Sequence, residues 1–286
     1  PLKSPGKILW VGAGARDTTK GGTGSGDVES RYYITCEEGL ENAGFEIVSK
    51  DWLDEFPSFK KAKHKEFITF IEYWADRYAS NAGHISFGAV EPEAEYDLPL
   101  DDYKADAAIY VIRRNSGEGE DRQIAKGDIY LTDSEIRDIL YLNENYDKFM
   151  LVLNVAGVVD LSPVKDVKNI LLLSQLGVVT GDILADILLG KVNPSGKLST
   201  TWASVKDYRF IEEFGGIDNT RYVEGVYVGY RFFDSANIKP LFPFGYGKSY
   251  TDFKMNVEKV TSTEKGKITI EITVEKMSKF SQEMKV

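Results

Sequence analysis

Cysteine is almost missing from this 286-residue chain, and the single thiol, Cys36, excludes an internal disulfide and a thiolate zinc cluster. The expected role of Cys36 is that of a small buried apolar residue, and a lone free thiol fits a reducing compartment. Runs of positive charge are also lacking: 35 Lys and Arg stand against 45 Asp and Glu, a net charge of −10. No stretch of basic residues tracks a phosphate backbone, so nucleic acid is not an expected partner. Long apolar runs are absent too. The stretch from Phe149 to Val159 is too short to cross a bilayer, and no membrane partner is expected. The first residues, Pro1-Leu2-Lys3-Ser4-Pro5, show no apolar core of a signal peptide. A cytoplasmic location is therefore the expectation, although the chain starts without Met.

What is present is the composition of a globular protein, 42% hydrophobic and 28% charged, with enough apolar residues for one large or two modest domains. Short apolar runs closed by turn residues mark strands at Lys7–Gly12, Phe45–Ser49, Asp106–Arg113, Phe149–Asn154 and Asn169–Leu173. Helical spacing lies between them. Tyr33, Cys36, Leu40 and Ala43 recur at three- and four-residue steps within Glu29–Ala43, and Gly44 follows as a stop. Phe67, Phe70, Ile71 and Trp74 form a stripe within Lys60–Ser80. Thr132-Asp133-Ser134-Glu135 is a capping-box signature opening a helix to Asn145, and Val179–Leu189 ends at Gly190. Continuous apolar strands alternating with helices imply an α/β fold, a mostly parallel sheet sandwiched by helices. Beyond residue 200 helical periodicity fades. Period-2 alternation then appears at Ile268-Thr269-Ile270-Glu271-Ile272-Thr273-Val274, the mark of a small β segment.

Open parallel sheets bind ligands beyond the carboxyl ends of their strands, where two loops stand out. After the first strand come Gly12-Ala13-Gly14-Ala15-Arg16-Asp17 and Gly21-Gly22-Thr23-Gly24-Ser25-Gly26-Asp27. This is neither a dinucleotide fingerprint, since Asp17 replaces the third glycine, nor a P-loop, since no Gly-Lys-Ser/Thr ends it. A flexible surface turn is one reading. Close approach of backbone to a polar ligand, with Thr23 and Ser25 offering hydroxyls, is the other. After the third strand comes Asn115-Ser116-Gly117-Glu118-Gly119-Glu120-Asp121-Arg122. Glycines on both sides let Glu118 project from a turn, and a carboxyl group covered there by another surface can have its pKa raised toward neutrality. Asp121 and Arg122 are expected to form a supporting ion pair. By composition alone, a loop glutamate is as readily a solvated charge.

Together these loops resemble the C-terminal α/β domain of family 3 glycoside hydrolases of the β-glucosidase type. The resemblance rests on Gly21–Val28 and on Ser116-Gly117-Glu118-Gly119-x-Asp121-Arg122. Three further segments follow in the family's order: Asn193-Pro194-Ser195-Gly196-Lys197-Leu198, Glu224–Arg231 (EGVYVGYR) and Leu241–Thr251 (LFPFGYGKSYT). The resemblance implies an α/β-sandwich over 1–250 and the start of a fibronectin type III-like segment over 251–286. It implies Glu118 as the general acid/base that protonates the leaving-group oxygen of a β-linked saccharide. Ser25, and more weakly Thr23, would contact the sugar. Asp121 and Arg122 would hold the acid/base loop in shape, and no cofactor or metal is implied. The segments around Arg231 and Pro243 would be structural, packing the connection into the fibronectin-type segment.

The family's aspartate nucleophile lies in a Ser-Asp-Trp motif on a separate (β/α)8 barrel, a partner missing from this sequence. Ser49-Lys50-Asp51-Trp52 carries an extra residue, so Asp51 is read as a helix cap or a surface charge. His64, within Lys63-His64-Lys65, is read as a solvated helix residue and not as the barrel's sugar ligand. Gln175-Leu176-Gly177 stands where the family often has a glycine-rich segment, and it departs from that pattern. The competing reading is a non-catalytic carbohydrate-binding or interaction module on the same fold.

Overall fold

Five apolar runs become the strands of one parallel sheet in the computed structural model, which describes residues 1–78, 90–118, 121–209, 219 and 221–277. The strands are β1 (Lys7–Val11), β2 (Glu46–Ile47), β3 (Ala107–Arg114), β4 (Phe149–Val155) and β5 (Ile170–Leu172), in the order β2-β1-β3-β4-β5. The central register pairs Trp10 with Ile109 and Tyr110 with Leu151. Ile8 to Val11, Ala107 to Ile112 and Leu151 to Leu153 are all buried. Burial on both faces explains why these strands read as continuous apolar runs instead of alternating ones.

Helix α1 (Cys36–Asn42) is shorter than the spacing predicts. Thr35 caps it, accepting from the Glu38 amide while Glu38 bonds the Thr35 amide, so residues 29–35 approach outside the helix. Gly44, at φ +92°, ends the turn, and the Phe45 amide reaches the Leu40 carbonyl. An unanticipated helix α2 (Lys50–Glu55) follows β2, and α3 (Pro57–Arg77) comes next. The expected end of α3 at Ser80 lies outside the described residues. Of its apolar stripe only Ile71 is buried: Phe67 and Trp74 are half-buried, while Phe70 is 47% exposed and meets Trp74 edge-on. Trp74 stacks on Tyr78 in turn, so the aromatic ladder lies along the helix surface.

Helix α4 (Asp133–Asn145) begins at the Thr132–Glu135 capping box. Glu135 also receives a two-pronged bond from Arg114, both side chains being almost wholly buried, and this ties the helix start to the end of β3. Helix α5 (Thr180–Leu188) crosses α1 at closest backbone approach, where Gly39 faces Gly181.

The Asn193–Leu198 and Leu241–Thr251 segments pack against one another. The Leu198 amide bonds the Tyr246 carbonyl, the Gly245 amide bonds the Leu198 carbonyl, and Asn193 Oδ1 accepts from Ser249 and the Tyr250 amide. Between them lies the short helix α6 (Tyr230–Ser235). The last described elements form an antiparallel pair, β6 (Phe253–Glu264) and β7 (Lys267–Lys276), where the alternating residues fall.

Candidate functional site

In a sheet ordered 2-1-3-4-5 the chain leaves β1 and β3 in opposite directions, and a crevice opens between their carboxyl ends. The two glycine-rich loops flank that crevice. The Thr23 amide donates to the Ser116 carbonyl at 3.2 Å, and the Ser25 amide donates to Glu118 Oε2 at 3.0 Å. Ser25, Thr23 and Glu118, named from sequence, are thus brought together across a sequence separation of 93 residues. Glycine serves the approach: a Cβ on Gly22 would lie 3.2 Å from the Ser116 carbonyl oxygen, and Gly24 sits at φ +71°.

Glu118 lies on the surface, at the carboxyl edge of the sheet, and Gly119 beyond it is outside the described residues. Bonds from the Ser25 hydroxyl, then from the Ser25 amide, hold its carboxyl below the usual carboxylate range. That is opposite in direction to a group poised to donate a proton. In this open arrangement Glu118 is an anion at neutral pH.

The expected Asp121–Arg122 pair does not form. Arg122 Nε instead bonds Asp128, a buried carboxylate that also accepts from the Gln123 amide, and Arg122 Nη1 reaches the Val158 carbonyl at 3.3 Å. Asp128 wins because it is withdrawn from water among donors, whereas Asp121 is exposed. Arg122 still braces the loop, but against the turn after β4.

Three amide side chains to which the sequence assigned no role complete the frame. Asn115 Oδ1 accepts from the Ser116 amide and from Gln175 Nε2, each at 2.9 Å. Gln175 therefore buttresses the Glu118 loop despite its departure from the family pattern. Asn154, fully buried at the end of β4, accepts from the Thr19 amide at 2.6 Å and donates to the carbonyls of Thr19 and Ser174. A polar residue inside an otherwise apolar strand was the available signal for Asn154.

The two sequence decoys lie elsewhere. Asp51 stands in the first turn of α2, beyond edge strand β2, and accepts from the Tyr103 hydroxyl. His64 is not simply solvated: its Nδ1 lies 3.0 Å from Glu91. No described helix is long and apolar enough to cross a membrane.

The model of the glycosyl hydrolase family 3 C-terminal domain matches residues 1–250. Beta-glucosidase A of Butyrivibrio fibrisolvens is 36% identical over 88% of this chain and 32% of its own length. A beta-glucosidase of Ruminococcus albus is 32% identical over 85% of the chain and 25% of its own. Among solved structures, beta-glucosidase 3B of Thermotoga neapolitana, described in complex with glucose, superposes with a TM-score of 0.75 at 31% identity, covering 96% of this chain and 38% of that one. The chain thus spans between a quarter and two fifths of the length of these relatives. With its parallel sheet, its paired glycine loops and this similarity, the chain belongs to glycoside hydrolase family 3, whose C-terminal domain it contains.

Proposed function

We propose that this chain supplies the general acid/base of a retaining β-glycosidase, a β-glucosidase by the names of its relatives, and that Glu118 is that group. The observation that carries the reading is the Ser25–Glu118 contact, which fixes an exposed carboxylate in the crevice between β1 and β3. Retaining hydrolysis needs two carboxyl groups about 5–5.5 Å apart, one a nucleophile and the other an acid and then a base. The nucleophile belongs to a (β/α)8 barrel outside these residues. Covering Glu118 with that surface removes water from the carboxylate and raises its pKa, reversing the direction set by Ser25. The protonated carboxyl group then gives its proton to the glycosidic oxygen as the C–O bond breaks and the nucleophile bonds the sugar. In the second step the Glu118 carboxylate takes a proton from the water that displaces the nucleophile. Ser25, with Thr23, offers hydroxyls to the sugar in the crevice, and Arg122 keeps the loop in place.

The test is hydrolysis of an aryl β-glucoside by the chain alone and by the chain joined to a family 3 barrel, each with and without Glu118→Gln. The chain alone is expected to be inactive. The complemented enzyme is expected to lose roughly 10²–10⁴-fold on Glu118→Gln. Unchanged hydrolysis in that variant would instead favour a sugar-binding module. Activity of the chain alone that Glu118→Gln abolishes would put a second catalytic carboxylate within these residues.

A further inference from the structure

Beside the Glu118 loop lies a cavity of about 200 Å³. Thr23 of the β1 loop, Arg113 and Asn115 at the end of β3, Lys60 of α3 and the segment 90–94 line it. Its charges are interlocked. Lys60 Nζ reaches Asp17 at 3.2 Å, Arg113 Nε lies 3.5 Å from the same carboxylate, and Arg113 Nη1 donates to Glu93 Oε1 at 3.0 Å.

The other oxygen of Glu93 stands apart. The Glu93 side chain is only 4% exposed, yet among the described residues Oε2 has no hydrogen-bond donor, and Lys60 Nζ stops 3.8 Å away. Leaving such an acceptor dry is costly, so a further donor is called for. Glu93 is also held against relaxation. Its amide bonds the Gly127 carbonyl at 2.9 Å, and Gly127, at φ +83°, presses so close that a Cβ there would lie 2.3 Å from the Glu93 carbonyl oxygen.

The lining selects the ligand. Three carboxylates, Asp17, Glu91 and Glu93, disfavour a phosphate, and the Arg113 guanidinium disfavours a metal ion. What fits is a neutral molecule able to donate to Glu93 while accepting from Lys60, which is the chemistry of vicinal hydroxyls. The volume exceeds that of a few waters at about 30 Å³ each. We infer that this cavity binds a hydroxylated ring, a sugar unit on the leaving-group side of Glu118, with Glu93 as acceptor and Lys60 as donor. Its assignment to the leaving group rests on the acid/base reading of Glu118; the binding itself does not.

The experiment is titration of the isotopically labelled chain with methyl β-D-glucopyranoside, followed by NMR shifts of the Glu93, Arg113 and Asn115 amides. Saturable shifts are expected, with affinity about tenfold weaker in Glu93→Gln and in Lys60→Met and unchanged in Gly196→Ala, a position away from the cavity with nothing within 4 Å of the added atom. Thermal melts establish that each variant is folded. Should Glu93→Gln unfold, Lys60→Met alone decides, since its side chain is partly exposed and its ion pairs are peripheral. Absent shifts, or full affinity in the folded variants, would leave a water-filled cavity and overturn the inference. Binding as expected, together with full hydrolysis by the complemented Glu118→Gln enzyme, would keep the sugar site and discard the acid/base reading. The reverse pair of results would do the opposite.

Discussion

The backbone amide of Ser25 donates to the carboxylate of Glu118 at 3.0 Å, joining two loops that leave the sheet from different strands. The contact favours the charged form of Glu118, and the Ser25 hydroxyl contributes most to that preference. Substituting Ser25→Ala is therefore expected to move the Glu118 pKa upward, toward its ordinary 4.5. In the wild-type chain, protonation of Glu118 weakens this one of the contacts between the two loops, so the contact is intact above the ordinary pKa and is lost as pH falls through the lowered one. A carboxyl-carbon NMR titration of both proteins measures this. A downward or absent shift in Ser25→Ala would show that the hydroxyl does not stabilise the anion.

Asn154 carries the other half of the loop frame. Truncation to Ala would leave the Thr19 amide and the carbonyls of Thr19 and Ser174 without their side-chain partner in a buried setting. A loss of roughly 2–4 kcal/mol in urea unfolding is expected, at one to three kcal/mol per unsatisfied buried group with partial relief by water. Faster hydrogen exchange at Thr19 should accompany it. A stability change within experimental error would mean that the loop does not depend on this amide.

The crossing of α1 and α5 tolerates no side chain. A Cβ on Gly181 would lie 1.9 Å from the Thr35 carbonyl oxygen, and one on Gly39 would lie 2.1 Å from the Gly181 carbonyl carbon. Both obstacles are backbone, so the helices must separate. Gly39→Ala and Gly181→Ala are each expected to cost about 3 kcal/mol, roughly 6–12 °C in melting temperature. Gly196→Ala, where nothing lies within 4 Å of the added atom, serves as the control. Equal melting temperatures in all three would refute the close-packed crossing.

The parallel sheet was legible because β1, β3 and β4 are buried on both faces and so must be apolar throughout. The α4 start was legible because Thr132 and Glu135 satisfy its first amides locally. Helix α2 was not, since its six residues bury only Trp52 and Leu53, too few to set a period. The α1 start was placed too early for a related reason. Tyr33 shares the helical spacing, but its hydroxyl is engaged by the Thr18 carbonyl from outside the helix.

For the site, the sequence by itself determined which residue types stand in the two loops: glycines that permit close approach, a glutamate between glycines, a serine to meet it. These are local properties, set by backbone freedom and by the turn each segment makes. Only the tertiary structure decided partners. Arg122 turned to Asp128 and not to Asp121, because burial makes an ion pair stronger than adjacency does. Asn154, Gln175 and Glu93 acquired their roles from strands and loops far away in the chain, since a hydrogen bond depends on distance in space. The strand order β2-β1-β3 placed Ser25 beside Glu118, and no spacing along the chain contains that order.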